Sequence, residues 1–192
     1  MKQTLFTLLG AYGATGREDA VRACIREMVQ PHVDELREDA IGNLIAIKRG
    51  DGSGKRVMVA AHMDQIGFVV TDIEEKGFLR VSNVGGIRRA NSINRHVIFE
   101  NGVQGVLSCE ERENNPADTS MLKMFVDIGA ASREEAEKRI SRGDVCVYAP
   151  DVFEMGELVS GPAMDNRASC AVLVEALKSL KAGPNEVVAV FT

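Results

Sequence analysis

A histidine and an aspartate follow an apolar run that has the composition of a buried strand. Residues 57–61 (VMVAA) lead directly into His62, and Asp64 comes two residues later. Residues two apart in an extended chain point to the same side, so the two side chains would face one space. Imidazole is a common ligand of catalytic zinc or cobalt, and a carboxylate can hold the ring nitrogen that does not bind metal. We therefore predict a metal-binding His62 oriented by Asp64. The alternative is an ordinary hydrogen-bonded histidine at a strand end.

A second carboxylate lies far downstream, at the predicted start of a helix. Asp165 follows a Gly-Pro pair at residues 161–162 and precedes Asn166-Arg167. Like His62, it falls at a junction where open α/β sheets place their ligands. Two metal ions about 4 Å apart could share this carboxylate, bind a peptide's carbonyl and free amine, and activate a water. The competing interpretation is that Asp165 only caps the helix.

The other histidines and the cysteines indicate structural roles. His32 follows a proline at a helix exit, and His96 lies in a predicted hairpin strand. The cysteines lack CxxC spacing and three of them sit in apolar runs, so we expect reduced thiols in the core at Cys24, Cys109, Cys146 and Cys170.

The N-terminal segment predicts alternating helix and strands. Thr15 and Glu18 have the spacing of a capping box, and apolar residues then recur at helical intervals to Val29. Residues 33–48 indicate strand, turn and strand, and residues 51–54 indicate a hairpin-like loop before the strand that reaches His62.

From residue 67 the pattern changes to short strands separated by turns. Asn101-Gly102 is a type I′ turn signal between two such strands, and Ser132 with Glu135 predicts the cap of a short helix. Glu110 to Asp118 indicates an exposed charged loop. Short strands of this kind predict a small β barrel or sandwich.

The last segment returns to the first pattern. Residues 168–180 predict a helix, and residues 186–192 form an apolar run typical of a buried parallel strand. We therefore predict an α/β domain made of residues 1–66 and 162–192, interrupted by a β-rich insertion at residues 67–161.

Composition excludes some functions. The chain has 192 residues, 45% of them hydrophobic, and a formal net charge of -5. It lacks a basic patch with aromatic residues, so nucleic acid is not an expected partner. The apolar N-terminal stretch is too short to span a membrane and lacks a signal-peptide pattern, which predicts a cytoplasmic protein.

Five ordered motifs resemble the zinc- or cobalt-dependent aminopeptidase family whose members build large tetrahedral particles, often called deblocking or glutamyl aminopeptidases. The motifs occupy residues 13–18 (GATGRE), 39–46 (DAIGNLIA), 61–67 (AHMDQIG), 83–87 (NVGGI) and 163–167 (AMDNR). The resemblance implies that His62 binds one metal ion, that Asp64 orients it, and that Asp165 bridges two divalent ions. Zinc or cobalt is favoured, with manganese as the alternative.

The resemblance also implies an architecture and a missing part. It implies a three-layer α/β/α metallopeptidase domain, and a barrel-like insertion that forms dimers within a homo-oligomer. In such enzymes the general-base glutamate and further ligands follow the strand that ends here at Thr192. Loss of a general base removes about 10² to 10⁴ in rate, so the chain is expected to be an inactive N-terminal fragment.

The leading hypothesis is a metalloaminopeptidase that acts on peptides with a free N-terminus. One alternative is a non-catalytic assembly protein derived from the same family. The other is a related dinuclear carboxypeptidase or deacylase, which would not require a free amine.

Overall fold

The computed structural model describes residues 1–110 and 120–192. They form two compact units, an α/β unit of Met1–Gln65 with Pro150–Thr192 and a barrel unit of Ile66–Ala149. Residues 150–161, which the sequence analysis places in the insertion, group with the α/β unit. Of the charged loop expected at Glu110 to Asp118, all but Glu110 lies outside the described residues.

In the described residues, two helices precede a run of eight strands, and two further helices lie between the eighth strand and the last. The helices are α1 (Lys2–Gly10), α2 (Asp19–Val29), α3 (Arg133–Glu137) and α4 (Met164–Ser179), with short 3-10 turns at Gln30–His32, Arg89–Asn91 and Met121–Lys123. The strands are β1 (Glu35–Glu38), β2 (Leu44–Lys48), β3 (Arg56–Ala61), β4 (Gly67–Ile73), β5 (Leu79–Val84), β6 (His96–Phe99), β7 (Gln104–Cys109), β8 (Met124–Asp127), β9 (Val145–Tyr148), β10 (Phe153–Met155), β11 (Leu158–Ser160) and β12 (Glu186–Phe191).

The α/β unit is built on a four-stranded sheet with the order β1-β2-β12-β3. β1 and β2 pair antiparallel, which confirms the strand, turn and strand expected at residues 33–48. β12 is antiparallel to β2 but parallel to β3. The loop at residues 51–54 is therefore not a hairpin turn, because β12 lies between the strands that it joins. Its Gly54 N–H donates instead to Pro184 O, 2.9 Å away, in the segment that leads into β12.

Helices pack on one face of this sheet. Val21, Ile25 and Val29 of α2 are fully buried, as the helical spacing predicts. They belong to one apolar cluster with residues of α1, α4 and the sheet, including Leu8, Leu44, Val174, Ala189 and Phe191. Alternate residues of β2 and β12 point to the other face, where Ile45, Ile47 and Val188 form a smaller cluster.

The barrel unit is a closed antiparallel barrel with the strand order β4-β5-β8-β7-β6-β9. Its interior is filled by inward-facing apolar side chains, among them Phe68, Leu79, Val97, Leu107 and Val126. Gly102 has φ +84° in the β6–β7 turn, and Ser132 Oγ caps α3 by accepting from Glu135 N at 3.3 Å. The α/β class and the barrel-like insertion are thus confirmed. Across residues 1–110 and 120–192, no helix has the length and apolar character needed to cross a membrane.

Candidate active site

The backbone around His62 is fixed by hydrogen bonds at the end of β3. Thr192 N donates to Ala61 O at 3.0 Å, and Met63 N donates to Thr192 O at 2.7 Å, so the pairing with β12 continues past the strand. The Cys170 thiol on α4 donates to His62 O at 3.2 Å. The imidazole itself is 43% exposed. The His62 imidazole is therefore partly exposed, while its main chain is held by hydrogen bonds.

Asp64 joins His62 to a loop near the N-terminus. Asp64 Oδ1 lies 2.8 Å from His62 Nδ1, as the spacing of the two residues predicts. Its other oxygen, Oδ2, accepts a hydrogen bond from Thr15 Oγ1 at 2.5 Å. The capping box predicted for Thr15 and Glu18 is wrong: α2 begins at Asp19, its N-cap residue is Glu18 and not Thr15, and the Glu18 side chain makes no capping hydrogen bond. Gly16, with φ +78°, turns the chain before the helix, and Thr15 faces Asp64 instead.

Asp165 stands opposite the other ring nitrogen. Its Oδ1 lies 3.2 Å from His62 Nε2, and its side chain is 96% exposed. Ala163, the residue before α4, has a left-handed φ of +58°, and the backbone of Asp165 and Asn166 departs from helical geometry. Among the described residues no backbone N–H donates to the Asp165 carboxylate, whose contact is with His62, so the capping interpretation of Asp165 is not supported.

The Arg167 side chain joins α4 to the segment after β3 and to the end of α1 by hydrogen bonds. It is fully buried, and Nε donates to Met63 O at 3.1 Å. Nη1 donates to Leu8 O at 2.7 Å and also to Ala11 O, in the last turn of α1 and just after it. Burial lowers the pKa of Arg167 to about 10, which still leaves a cation at neutral pH. The carbonyl between His62 and Asp64 is thereby anchored to α1.

His62 and Asp165 direct a nitrogen and an oxygen donor at one point. When Nδ1 carries the proton shared with Asp64, Nε2 turns a lone pair toward the carboxylate oxygen of Asp165. Two such atoms repel at 3.2 Å unless a proton or a cation lies between them. These donor types suit zinc, cobalt or manganese, so the pair fits part of a metal site. It is only part of one, since the described ranges contain no cluster of three or more His, Cys, Asp and Glu that could hold an ion.

The remaining candidates lie elsewhere or have other tasks. His32 closes the 3-10 turn after α2, and His96 begins β6 in the barrel unit. No disulfide joins any of the four cysteines, all of which lie in the described residues, and burial raises the pKa of Cys146 and Cys170 to about 12, which keeps them as thiols. The contacts of Thr15 and Arg167 were not predicted from the sequence. The motifs at residues 13–18 and 163–167 contained both residues, but spacing alone did not show what either would contact.

Comparison with known proteins shows which family the chain belongs to. The model of the M42 glutamyl aminopeptidase family matches residues 42–192, and the chain belongs to this family. A relative from Acetivibrio thermocellus, named provisionally as an aminopeptidase, is 46% identical over 195 residues. That alignment covers 100% of this chain but 58% of the relative, so the chain spans little more than half of its length.

Solved structures give the same assignment of the fold. An aminopeptidase from Desulfurococcus kamchatkensis has a TM-score of 0.90 at 33% identity, with 99% of this chain and 55% of that chain covered. A Thermotoga maritima structure described as an endoglucanase has a TM-score of 0.88 at 35% identity, covering 98% and 58%. The TET1 peptidase of Pyrococcus horikoshii, described as assembling into a tetrahedron or a large octahedral shell, has a TM-score of 0.86 at 30% identity, covering 100% and 60%.

Proposed function

We propose that this chain supplies part of the active site of a dinuclear metal-dependent aminopeptidase. The observation that carries the proposal is the convergence of His62 Nε2 and Asp165 Oδ1, 3.2 Å apart, with Asp64 behind the imidazole. In this proposal His62 is a ligand of one ion, Asp165 bridges both, and Asp64 fixes the ring. Membership of the M42 glutamyl aminopeptidase family supports the reaction class.

Each residue has a task that follows from its contacts. Asp64 holds the proton at Nδ1, which keeps the Nε2 lone pair free to bind a cation. Asp165 lies in solvent and can approach substrate as well as metal. Two divalent ions, when bound, would polarise the scissile carbonyl and lower the pKa of a water molecule. The free amine of a peptide is the group that separates an aminopeptidase from other hydrolases of this kind.

The chain alone would be inactive in this account. One imidazole and one carboxylate are too few protein ligands for a catalytic site, which usually has three for each zinc ion. The further ligands and the general base would belong to the part of the relatives that this chain does not span. We further propose a cytoplasmic protein that forms homo-oligomers through the barrel unit. The assemblies described for the P. horikoshii relative support the formation of homo-oligomers.

The first experiment is the intact mass of the natural gene product, followed by an assay of that product. A mass near 20.8 kDa would favour a non-catalytic assembly protein. A mass nearly twice that would favour the enzyme. Release of the first residue from a free peptide, stopped by chelation and absent with the N-acetylated peptide, is the expected result. Equal cleavage of both peptides would indicate a carboxypeptidase, and release of acetate from the N-acetylated peptide alone would indicate a deacylase.

Variants then test the assigned residues. In the natural gene product, Asp64→Ala should lower the rate of release of the first residue about 10- to 100-fold, as expected when the partner of a metal-bound histidine is lost. His96→Ala is the matched control, because His96 lies in the barrel unit, and it should retain the wild-type rate. A wild-type rate in both variants would remove Asp64 from the site.

A further inference from the structure

Thr15 contacts the residue that orients the imidazole. Within residues 1–110 and 120–192, each carboxylate oxygen of Asp64 has one hydrogen-bond partner: His62 Nδ1 at 2.8 Å for Oδ1, and Thr15 Oγ1 at 2.5 Å for Oδ2. The side-chain torsion of an aspartate has a broad, roughly two-fold minimum, so a single hydrogen bond leaves its plane poorly fixed. Two hydrogen bonds on opposite oxygens define that plane.

The loop that carries Thr15 is held in place by its own contacts. Gln65 N donates to Gly13 O at 2.9 Å, and the buried Ala14 pairs with Gln65 as a parallel bridge. The next turn is closed by Arg17 N, which donates to Ala14 O at 2.8 Å. Glu18 Oε1 accepts from Gly16 N at 2.6 Å within the same turn. The hydroxyl is therefore presented to Asp64 by a backbone that is bonded on both sides of Thr15.

We propose that Thr15 is a positioning residue for the candidate active site. Its hydroxyl donates to Asp64 Oδ2 and so directs Oδ1 at His62 Nδ1, which keeps the ring proton on Nδ1 and the lone pair on Nε2, facing Asp165. This inference rests on the proposed function, because the lone pair matters only if Nε2 binds a metal ion. The chain of contacts runs from Thr15 through Asp64 and His62 to Asp165.

The tautomer of His62 tests the inference without metal or substrate. The chain has three histidines, so ¹⁵N labelling of histidine gives a simple spectrum, and His62→Gln identifies the signals of His62. Spectra are recorded with a neutral imidazole and in the Asp165→Ala background, because the Asp165 carboxylate would favour a proton on Nε2 when no metal ion is bound. In this background we expect the Nδ1–H tautomer with Thr15 unchanged and in Thr15→Ser, and comparable populations of both tautomers in Thr15→Val, which keeps the shape but loses the hydroxyl.

Control variants distinguish a loss of Asp64 positioning from a general loosening of the fold. Thr7→Val removes a hydroxyl that donates to Gln3 O within α1, and it should leave the tautomer unchanged. A pure Nδ1–H tautomer in Thr15→Val, or a mixture in Thr15→Ser equal to that in Thr15→Val, would overturn the inference. Zn²⁺ titration of the full-length natural product gives the second readout, with affinity about 10- to 100-fold weaker in Thr15→Val. Failure of the wild-type product to bind Zn²⁺ would overturn the proposed function and leave the tautomer result to decide on Thr15.

Discussion

At the scale of single residues, Asp165 shows how one side chain can suit two interpretations. A short acid near the start of a helix usually stabilises the free N–H groups there. Here no backbone N–H of the described residues donates to the Asp165 carboxylate, which faces His62 from an almost fully exposed position. The change in the free energy of unfolding when Asp165 is replaced therefore distinguishes a site residue from a helix cap.

Replacement of Asp165 by alanine should change the free energy of unfolding by less than about 0.5 kcal/mol, the range of ordinary surface substitutions. A true cap would cost about 1 kcal/mol. Urea unfolding followed by circular dichroism measures the difference. Ser132→Ala is the matched control, because Ser132 Oγ does cap α3, and we expect it to cost about 1 kcal/mol. A loss as large for Asp165→Ala would restore the capping interpretation.

The sequence predicted the residues that lie on strand and helix ends, but not the partners that come from distant segments. His62 and Asp64 could be paired from their spacing, because the two-residue repeat of an extended chain is local geometry. Thr15 is 49 positions from Asp64, and Arg167 is 104 positions from Met63. Such contacts depend on how the loop after α1 folds back, which no local pattern contains. The local capping-box pattern even indicated a different task for Thr15.

At the scale of elements, one carboxylate links the first and last helices of the α/β unit. Glu175 on α4 accepts from Lys178 Nζ at 2.8 Å and from Thr4 Oγ1 at 2.6 Å. It also pairs with the amino group of Met1 at 3.1 Å. The hydrogen bond from Lys178, followed by those from Thr4 and the amino terminus, lowers the pKa of Glu175 from 4.5 to about 2. The packing of α1 on α4 is therefore sensitive to acid.

The sign of this dependence follows from the depressed pKa. The contribution of Glu175 to stability is complete above about pH 4.5 and is lost as the pH falls toward about 2. Glu175→Gln should lower the melting temperature near neutral pH, and its curve should converge with that of the wild type as the pH approaches about 2. Thermal unfolding across this pH range provides the test. Glu134→Gln is the control, because the Glu134–Lys138 pair is exposed and contributes little. A gap that persists unchanged to pH 2 would contradict the prediction.

Sequence patterns predicted most elements but not all of their neighbours. Amphipathic spacing located α2, and turn residues located the hairpin at Asn101-Gly102, because both signals arise within a few residues. The neighbour of β3 in the sheet comes from β12, more than a hundred residues later. β12 is buried between β2 and β3, and no local pattern indicates this pairing. The short loop between β2 and β3 was therefore wrongly predicted to be a hairpin.

At the scale of the whole molecule, the α/β unit leaves an apolar strand edge in solvent. β3 is at the end of its sheet, and Val57, Met58 and Val59 are 41%, 69% and 43% exposed. A groove of about 440 Å³ lies between this strand and α4, lined largely by apolar side chains that include Val59, Val172, Leu173, Leu177 and Leu180. Exposed edges of this composition tend to pair with other chains.

The 192-residue chain, studied by itself, should therefore associate through β3, and its mean mass in light scattering should rise with concentration. Met58→Lys places a charge on the strand edge, which opposes edge pairing, and should lower the mean mass. Ile41→Lys is the matched control: Ile41 is 85% exposed in the β1–β2 turn of the same unit, and the change in net charge is identical. Equal masses for the two variants would show that association does not use this edge. A selective effect of Met58→Lys would place the contact at β3, because only there does the added ammonium group enter the pairing surface.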